Sequence, residues 1–293
     1  MSANPKLAAV VPASRLDVRV RPEMVPSGIP QLDLLTGGLA RGCLTEICGA
    51  ASSGRTSVLL FALARATQRG EVCALVDASD AFDPASGAAA GMEMSRLLWV
   101  RCGEKVSPRQ DQNHALARPA GSAKTNDRYP GMSSGTALVS EKTGFRRWES
   151  QLGQMLRVTD LLLQSNGFGM IALDLGDVPV SNARRIPLAS WFRFRRAIEH
   201  TPTTLLVLEQ QPIAGSCSSA LWKVSGARSE KRLSAVSSQL SGKQPMHSEL
   251  AHSELFDQFD ITVELLRSRL EGKLERKPMQ STASFSSRAA WAG

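Results

Sequence analysis

A glycine-rich turn, Gly49-Ala50-Ala51-Ser52-Ser53-Gly54-Arg55-Thr56, joins an apolar run, Leu44 to Cys48, to an apolar-periodic segment, Ser57 to Arg69. A buried strand that enters a helix through such a turn is the layout of a phosphate-binding loop. In the pattern G-x-x-x-x-G-K-[ST], glycines let backbone N–H groups wrap phosphates, the lysine reaches the terminal phosphates and the hydroxyl holds Mg²⁺. Here the lysine position is Arg55. Arginine keeps the charge but replaces a compact ammonium with a wide planar fork, an exchange expected to weaken catalysis more than binding. The uncapped N–H groups that open the helix favour an anion in either case.

The chain of 293 residues, 42% hydrophobic, is long enough to bury one large α/β core with insertions. Aromatic residues make up 5%, and the one tyrosine, Tyr129, lies in a polar stretch, which argues against a base-stacking surface. A formal charge of +8 suits a polyanion-binding protein whose contacts are to the backbone. The five cysteines show no C-x-x-C spacing and read as reduced thiols. No apolar stretch is long enough for a signal peptide or a membrane span, so the expected compartment is the cytoplasm.

Along the chain, residues 1–26 read as an N-terminal arm and 27–270 as the core. Apolar strands are predicted at Val72 to Asp77, Leu97 to Cys102, Met170 to Asp174, Thr203 to Glu209 and Phe259 to Leu266, alternating with helical patterns. The alternation predicts a doubly wound, mostly parallel sheet. Residues 104–147, rich in Ser, Gly, Pro, Lys and Arg, read as a disordered insertion, 214–252 as a basic mobile loop, and 271–293 as a basic, Ser-rich tail that frays.

A loop of this kind needs an acidic residue to hold Mg²⁺, at the end of a neighbouring buried strand. Asp174 ends the run Met170 to Leu173 and fits; Asp177 is a weaker stand-in. Thr56 and Asp174 are therefore the expected Mg²⁺ residues. The predicted helix Leu188 to His200 places Arg193, Arg196 and His200 on one face and Trp191, Phe194 and Ile198 on the other, a core-packing pattern. The four histidines form no metal-binding spacing, and no Ser/His/acid triad can be assembled.

Three segments together carry a resemblance. Gly28 to Leu39, Glu46 to Thr56 and Val76-Asp77-Ala78-Ser79-Asp80-Ala81-Phe82-Asp83-Pro84 resemble the bacterial recombinase RecA. That family reads E-I-Y-G-P-E-S-S-G-K-T and I-D-A-E-H-A-L-D-P at the two later places. The resemblance implies a RecA-like P-loop NTPase core. It implies an ATP and Mg²⁺ site built from Gly49, Ser52, Ser53, Gly54, Arg55, Thr56, Ser57, Asp83 near the adenine, and Asp174. It also implies that Gln210 senses the terminal phosphate. The family's water-activating glutamate corresponds to Ser79, which cannot act as that base, and the adjacent Asp80 points to the opposite face. Hydrolysis is therefore expected to be weak or absent, which leaves enzymatic activity unassigned.

The resemblance further implies contact with single-stranded DNA, for which Lys223, Arg228, Lys231 and Arg232 are the phosphate-binding candidates. It implies self-assembly into homo-oligomers and a place in DNA repair, recombination and the SOS response. The short arm and the lack of a further C-terminal domain argue against filaments. The alternative is a non-hydrolysing accessory scaffold for an error-prone translesion polymerase, similar to ImuA-type RecA relatives. A P-loop kinase would explain the loop but not the D-A-x-x-A-x-D-P segment.

Overall fold

The computed structural model describes residues 21–103, 135–228, 258–270 and 281–288. Its core is an eight-stranded sheet whose strands are β3 (Leu44–Cys48), β4 (Cys73–Asp77), β5 (Leu97–Arg101), β6 (Met170–Asp174), β7 (Thr204–Glu209), β8 (Ala220–Arg228), β9 (Gln258–Ser268) and β10 (Thr282–Arg288). They lie in the order β10-β9-β8-β3-β7-β6-β4-β5. The run from β8 to β5 is parallel, and β9 and β10 are added antiparallel. A two-stranded ribbon of β1 (Met24–Val25) and β2 (Leu39–Ala40) flanks the short helix α1 (Pro30–Thr36).

Strand alternation sends side chains to two cores. On one face Ile47, Leu75, Ala172, Leu206 and Trp222 pack with Val58, Leu59, Ala62 and Leu63 of α2 (Arg55–Gln68). On the other, Leu44, Val76, Leu173 and Val207 pack with Leu152 and Met155 of α4 (Gly135–Ser165), Ala183 of α5 (Val180–Ala183) and Trp191, Phe194 and Ile198 of α6 (Leu188–Ile198). Helices on both faces of a mostly parallel sheet put its ligand crevice at the carboxyl ends of the strands. The cysteines of this core are free; burial pushes the thiols of Cys48 and Cys73 up, to about 11 and about 12, so they stay protonated as packing groups.

Three expected boundaries are corrected. Helix α4 begins at Gly135, inside the expected insertion 104–147; residues 104–134, with Tyr129, lie outside the described residues. The basic loop expected over 214–252 is regular structure over much of 215–228, and residues 229–257 lie outside the described residues. A 3₁₀ turn at Gly215–Cys217 leads into β8, which pairs with β3 and β9 through buried Leu221, Trp222 and Val224. In the expected tail, Thr282–Arg288 forms the edge strand β10. Its alternation buries Ala283 and leaves Thr282, Ser284 and Ser286 exposed, the mark of a strand with one wet face. Residues 1–20 of the arm and 271–280 of the tail lie outside the described residues.

Candidate functional site

The loop starts where central strand β3 ends. Gly49 donates its N–H to Glu209 O, and a Cβ at Gly49 would meet Ser53 Oγ and Val224 O at 2.5 Å each. Gly54 sits at φ +89° with Ile261 against it, where a Cβ would approach the isoleucine to 2.6 Å. A glycine is required there by both conformation and space. Ser52 also has positive φ, 58°. Ser53 donates its N–H to Ala50 O at 3.2 Å, while its buried hydroxyl has no hydrogen-bond partner. Gly54 caps α2 without a side-chain bond, and among the described residues no acceptor is bonded to the backbone N–H of Arg55, Thr56 or Ser57. This combination of unpaired amides, an orphaned buried hydroxyl and a helix start fits an anion.

Arg55 turns its guanidinium back into this loop. The side chain is 7% exposed; Nη1 donates to Gly49 O, Nη2 donates to Gly176 O at 2.6 Å, and Asp177 Oδ1 stands 3.7 Å away. A pocket of about 220 Å³ beside it is lined by Thr56, Asp83, Ser86, Asp174 and Asp177, with Phe82 and Leu60 as its apolar wall. Thr56 and Asp174, the pair expected to hold Mg²⁺, thus face one cavity.

Asp174 is 8% exposed, and burial pushes its carboxyl up to about 6. The Gly176 N–H that it accepts at 2.8 Å pulls downward, the charges of Asp77 and Asp177 push upward, and Arg55 pulls downward. Asp77 is its cross-strand partner and is fully buried. Its two oxygens accept the N–H groups of Ser79, Ala81 and Phe82 and the Trp99 indole N–H, so it organises the turn that forms the pocket wall. Asp80, at φ +61°, makes a two-pronged ion pair with Arg101 at 2.5 and 2.6 Å. Ser79 Oγ is buried without a partner.

Asp83 caps α3 (Pro84–Ala89). Its carboxylate accepts the N–H groups of Ala85 and Ser86 and, at 2.6 Å, the Ser86 hydroxyl, which holds its pKa below the usual range. Gln210, just past β7, donates to Gly176 O and Val178 O, both at 3.1 Å. Arg55, Thr56, Asp83 and Asp174 therefore line one crevice, and Gln210 bonds its wall at Gly176 O. Lys223 does not line that pocket; it is exposed on β8 beside Cys48, and Arg228 ends that strand opposite Phe259. Lys231 and Arg232 lie outside the described residues. Among the described residues, no cluster of His, Cys, Asp and Glu is arranged to hold a metal by itself, and no helix is long and apolar enough to cross a membrane.

Sequence reasoning missed the organising role of Asp77 and the carbonyl of Gly176. An acid that ends a strand and precedes the tight segment Ala78 to Phe82 was the available signal for the first. Nothing local marks the second, because its partners are distant in sequence.

Residues 10–106 match the family model described as RecA N-terminal domain. The RecA protein of Nostoc punctiforme is 47% identical over 81 residues, covering 27% of this chain and 23% of that protein. That of Symbiobacterium thermophilum is 45% identical over 87 residues, covering 29% and 24%. Each match thus spans less than a quarter of the relative's length. Among solved structures the RadB recombinase is similar with a TM-score of 0.48 and 15% identity, covering 89% of this chain and 95% of that one. The chain is thus similar to RecA proteins over its N-terminal region, residues 10–106.

Proposed function

We propose that this chain is a RecA-like repair protein that retains a nucleotide loop but does not turn ATP over. The observation that carries the reading is the Arg55 guanidinium, bonded to Gly49 O and Gly176 O across the loop. The acidic side chains near the water-activating position are committed elsewhere. Ser79 has only a hydroxyl, Asp80 is held by Arg101, and Asp77 is spent on the amides of its own turn. The unpaired N–H groups of Arg55 to Ser57 and the Ser53 hydroxyl support binding of a phosphate tail, with Thr56 and Asp174 as the Mg²⁺ residues. A bound Mg²⁺ would supply charge neutralisation for that tail. Asp83 lies in the same pocket, as a base-contacting residue would.

Single-stranded DNA is the second proposed ligand. The net charge of +8 and the exposed Lys223 support salt-sensitive, sequence-independent contact, to which Arg228, Lys231 and Arg232 would add. A site without a water-activating base equally favours the second reading, an accessory scaffold for a translesion polymerase.

The test is ATP binding and single-stranded-DNA-stimulated hydrolysis, measured on the natural chain and on Arg55→Lys with Ser79→Glu. The natural chain is expected to bind ATP weakly with background turnover. A restored general base is worth roughly 10²–10⁴-fold, so the double variant is expected to exceed the natural chain by about 100-fold or more. Robust hydrolysis by the natural chain would defeat the reading. Binding of DNA without ATP, together with capture of a purified polymerase, would favour the scaffold.

A further inference from the structure

Arg55 touches two elements at once. Its guanidinium joins the loop, at Gly49 O, to the turn after β6, at Gly176 O. That same Gly176 carbonyl accepts the amide of Gln210, whose other bond goes to Val178 O. The Gly176 N–H is given to Asp174. The turn 174–178 is thereby gripped from the nucleotide loop by Arg55 and from the end of β7 by Gln210. Gly176 is shaped for this contact. A Cβ there would lie 3.2 Å from both Nε and Nη2 of Arg55 and 3.0 Å from Asp174 Oδ1, so the guanidinium lies directly against the bare Cα.

We propose that Arg55 is an internal latch that holds the 174–178 turn against the nucleotide loop. Lysine would hold it less well, because a compact ammonium lacks the span and fixed donor directions of the planar fork that meets one carbonyl on each element. A polyphosphate is the chemistry that opens the latch. Charge-assisted, two-pronged N–H···O bonds to phosphate oxygens are stronger than bonds to neutral carbonyls, so an arriving phosphate draws the guanidinium off Gly176. The turn then loses its hold on the loop, and Gln210 keeps the turn's contact with β7. The identity of the opening anion rests on the nucleotide-loop reading above; the latch itself does not.

Hydrogen–deuterium exchange on the full chain tests this, read at the amides of Gly176 and Val178, with β3 and β4 amides as the folding control. Arg55→Ala and Arg55→Lys are each expected to speed exchange in the turn about tenfold or more, the worth of one hydrogen bond from a charged donor. Gly176→Ala, which pushes the guanidinium aside while keeping its charge, is expected to act in the same direction. Unchanged exchange at Gly176 and Val178 in Arg55→Ala, with the control amides intact, would overturn the latch. Pyrophosphate added to the natural chain is expected to loosen the turn and protect the amides of residues 55–57. If the variants loosen the turn but pyrophosphate alters nothing, the latch stands and the nucleotide reading falls.

Discussion

Glu46→Ala is expected to destabilise the chain by about 3–5 kcal/mol, the range for removing one partner of a buried ion pair, and so to remove a large part of the roughly 5–15 kcal/mol that holds a domain folded. Glu46 is fully buried on β3. Its Oε1 accepts the N–H groups of Ile213 at 2.9 Å and Ala214 at 2.6 Å, and its Oε2 faces Arg267 Nη2 at 3.3 Å. Arg267 in turn donates to Gly215 O at 2.7 Å and to the Ser218 hydroxyl. One carboxylate thus ties the loop's strand to the segment that connects β7 with β8 and to β9. Alanine strands the buried N–H of Ala214 and the half-buried N–H of Ile213 and leaves the arginine without its counter-charge. The urea midpoint is expected to fall accordingly, and a fall worth less than about 1 kcal/mol, within the range of an exposed pair, would show that the network does not carry this weight. Glu209 nearby behaves in the opposite way. Burial, then the charge of Glu46, pushes its carboxyl well above the usual range, so it is held neutral. Its ionisation costs stability as pH rises through that raised value. Glu209→Gln is therefore expected to gain over the natural chain with increasing pH.

The contrast between these two glutamates shows what the sequence could and could not convey. Strand–loop–helix order around Gly49 to Thr56, the run Met170 to Asp174 and the apolar face of Trp191, Phe194 and Ile198 are local patterns. Period and punctuation alone place them correctly. The antiparallel addition of β9 and β10 and the early start of β8 were not legible. The strand Phe259 to Leu266 was legible but its direction was not, and Thr282 to Arg288 alternates polar with apolar residues, so that only pairing to a neighbour distinguishes it from a solvated loop. At the site, the residue types were legible because the loop is contiguous. Where Arg55 points was not, since its acceptor Gly176 is 121 residues away. The substitution of lysine by arginine signalled altered chemistry, but the bridging contact is a tertiary fact. Strand alternation was not the ground that sets Asp80 aside, because β4 ends at Asp77 and Asp80 lies in the turn beyond it at φ +61°, held by Arg101 from the next strand over.

Asp174→Asn is expected to stabilise the chain at pH 8 and to make no difference at pH 4. In the fold the carboxyl titrates at about 6, against an ordinary 3.8, because burial penalises its charged form. The folded state therefore binds more protons than the unfolded state between those values, and stability contributed by this group is lost as pH rises from about 4 to above 6. The full penalty above pH 7 is about 3 kcal/mol by linkage. Asparagine carries no charge to bury, and its Oδ1 can still accept the Gly176 N–H. A thermal melt series from pH 4 to 8 is expected to show the two proteins converging at the acid end and separating by several degrees at the other. Parallel curves would show that Asp174 titrates normally. The penalty also sets what the natural residue is for. An acid held at a cost beside the acids Asp77 and Asp177 would regain its charge next to a divalent cation, the ligand proposed above for Asp174 and Thr56. If Mg²⁺ and ATP bind there as proposed, binding at pH 6 must expel part of a proton from Asp174. Calorimetry in two buffers of different ionisation heats is then expected to give different apparent enthalpies for the natural chain and equal ones for Asp174→Asn.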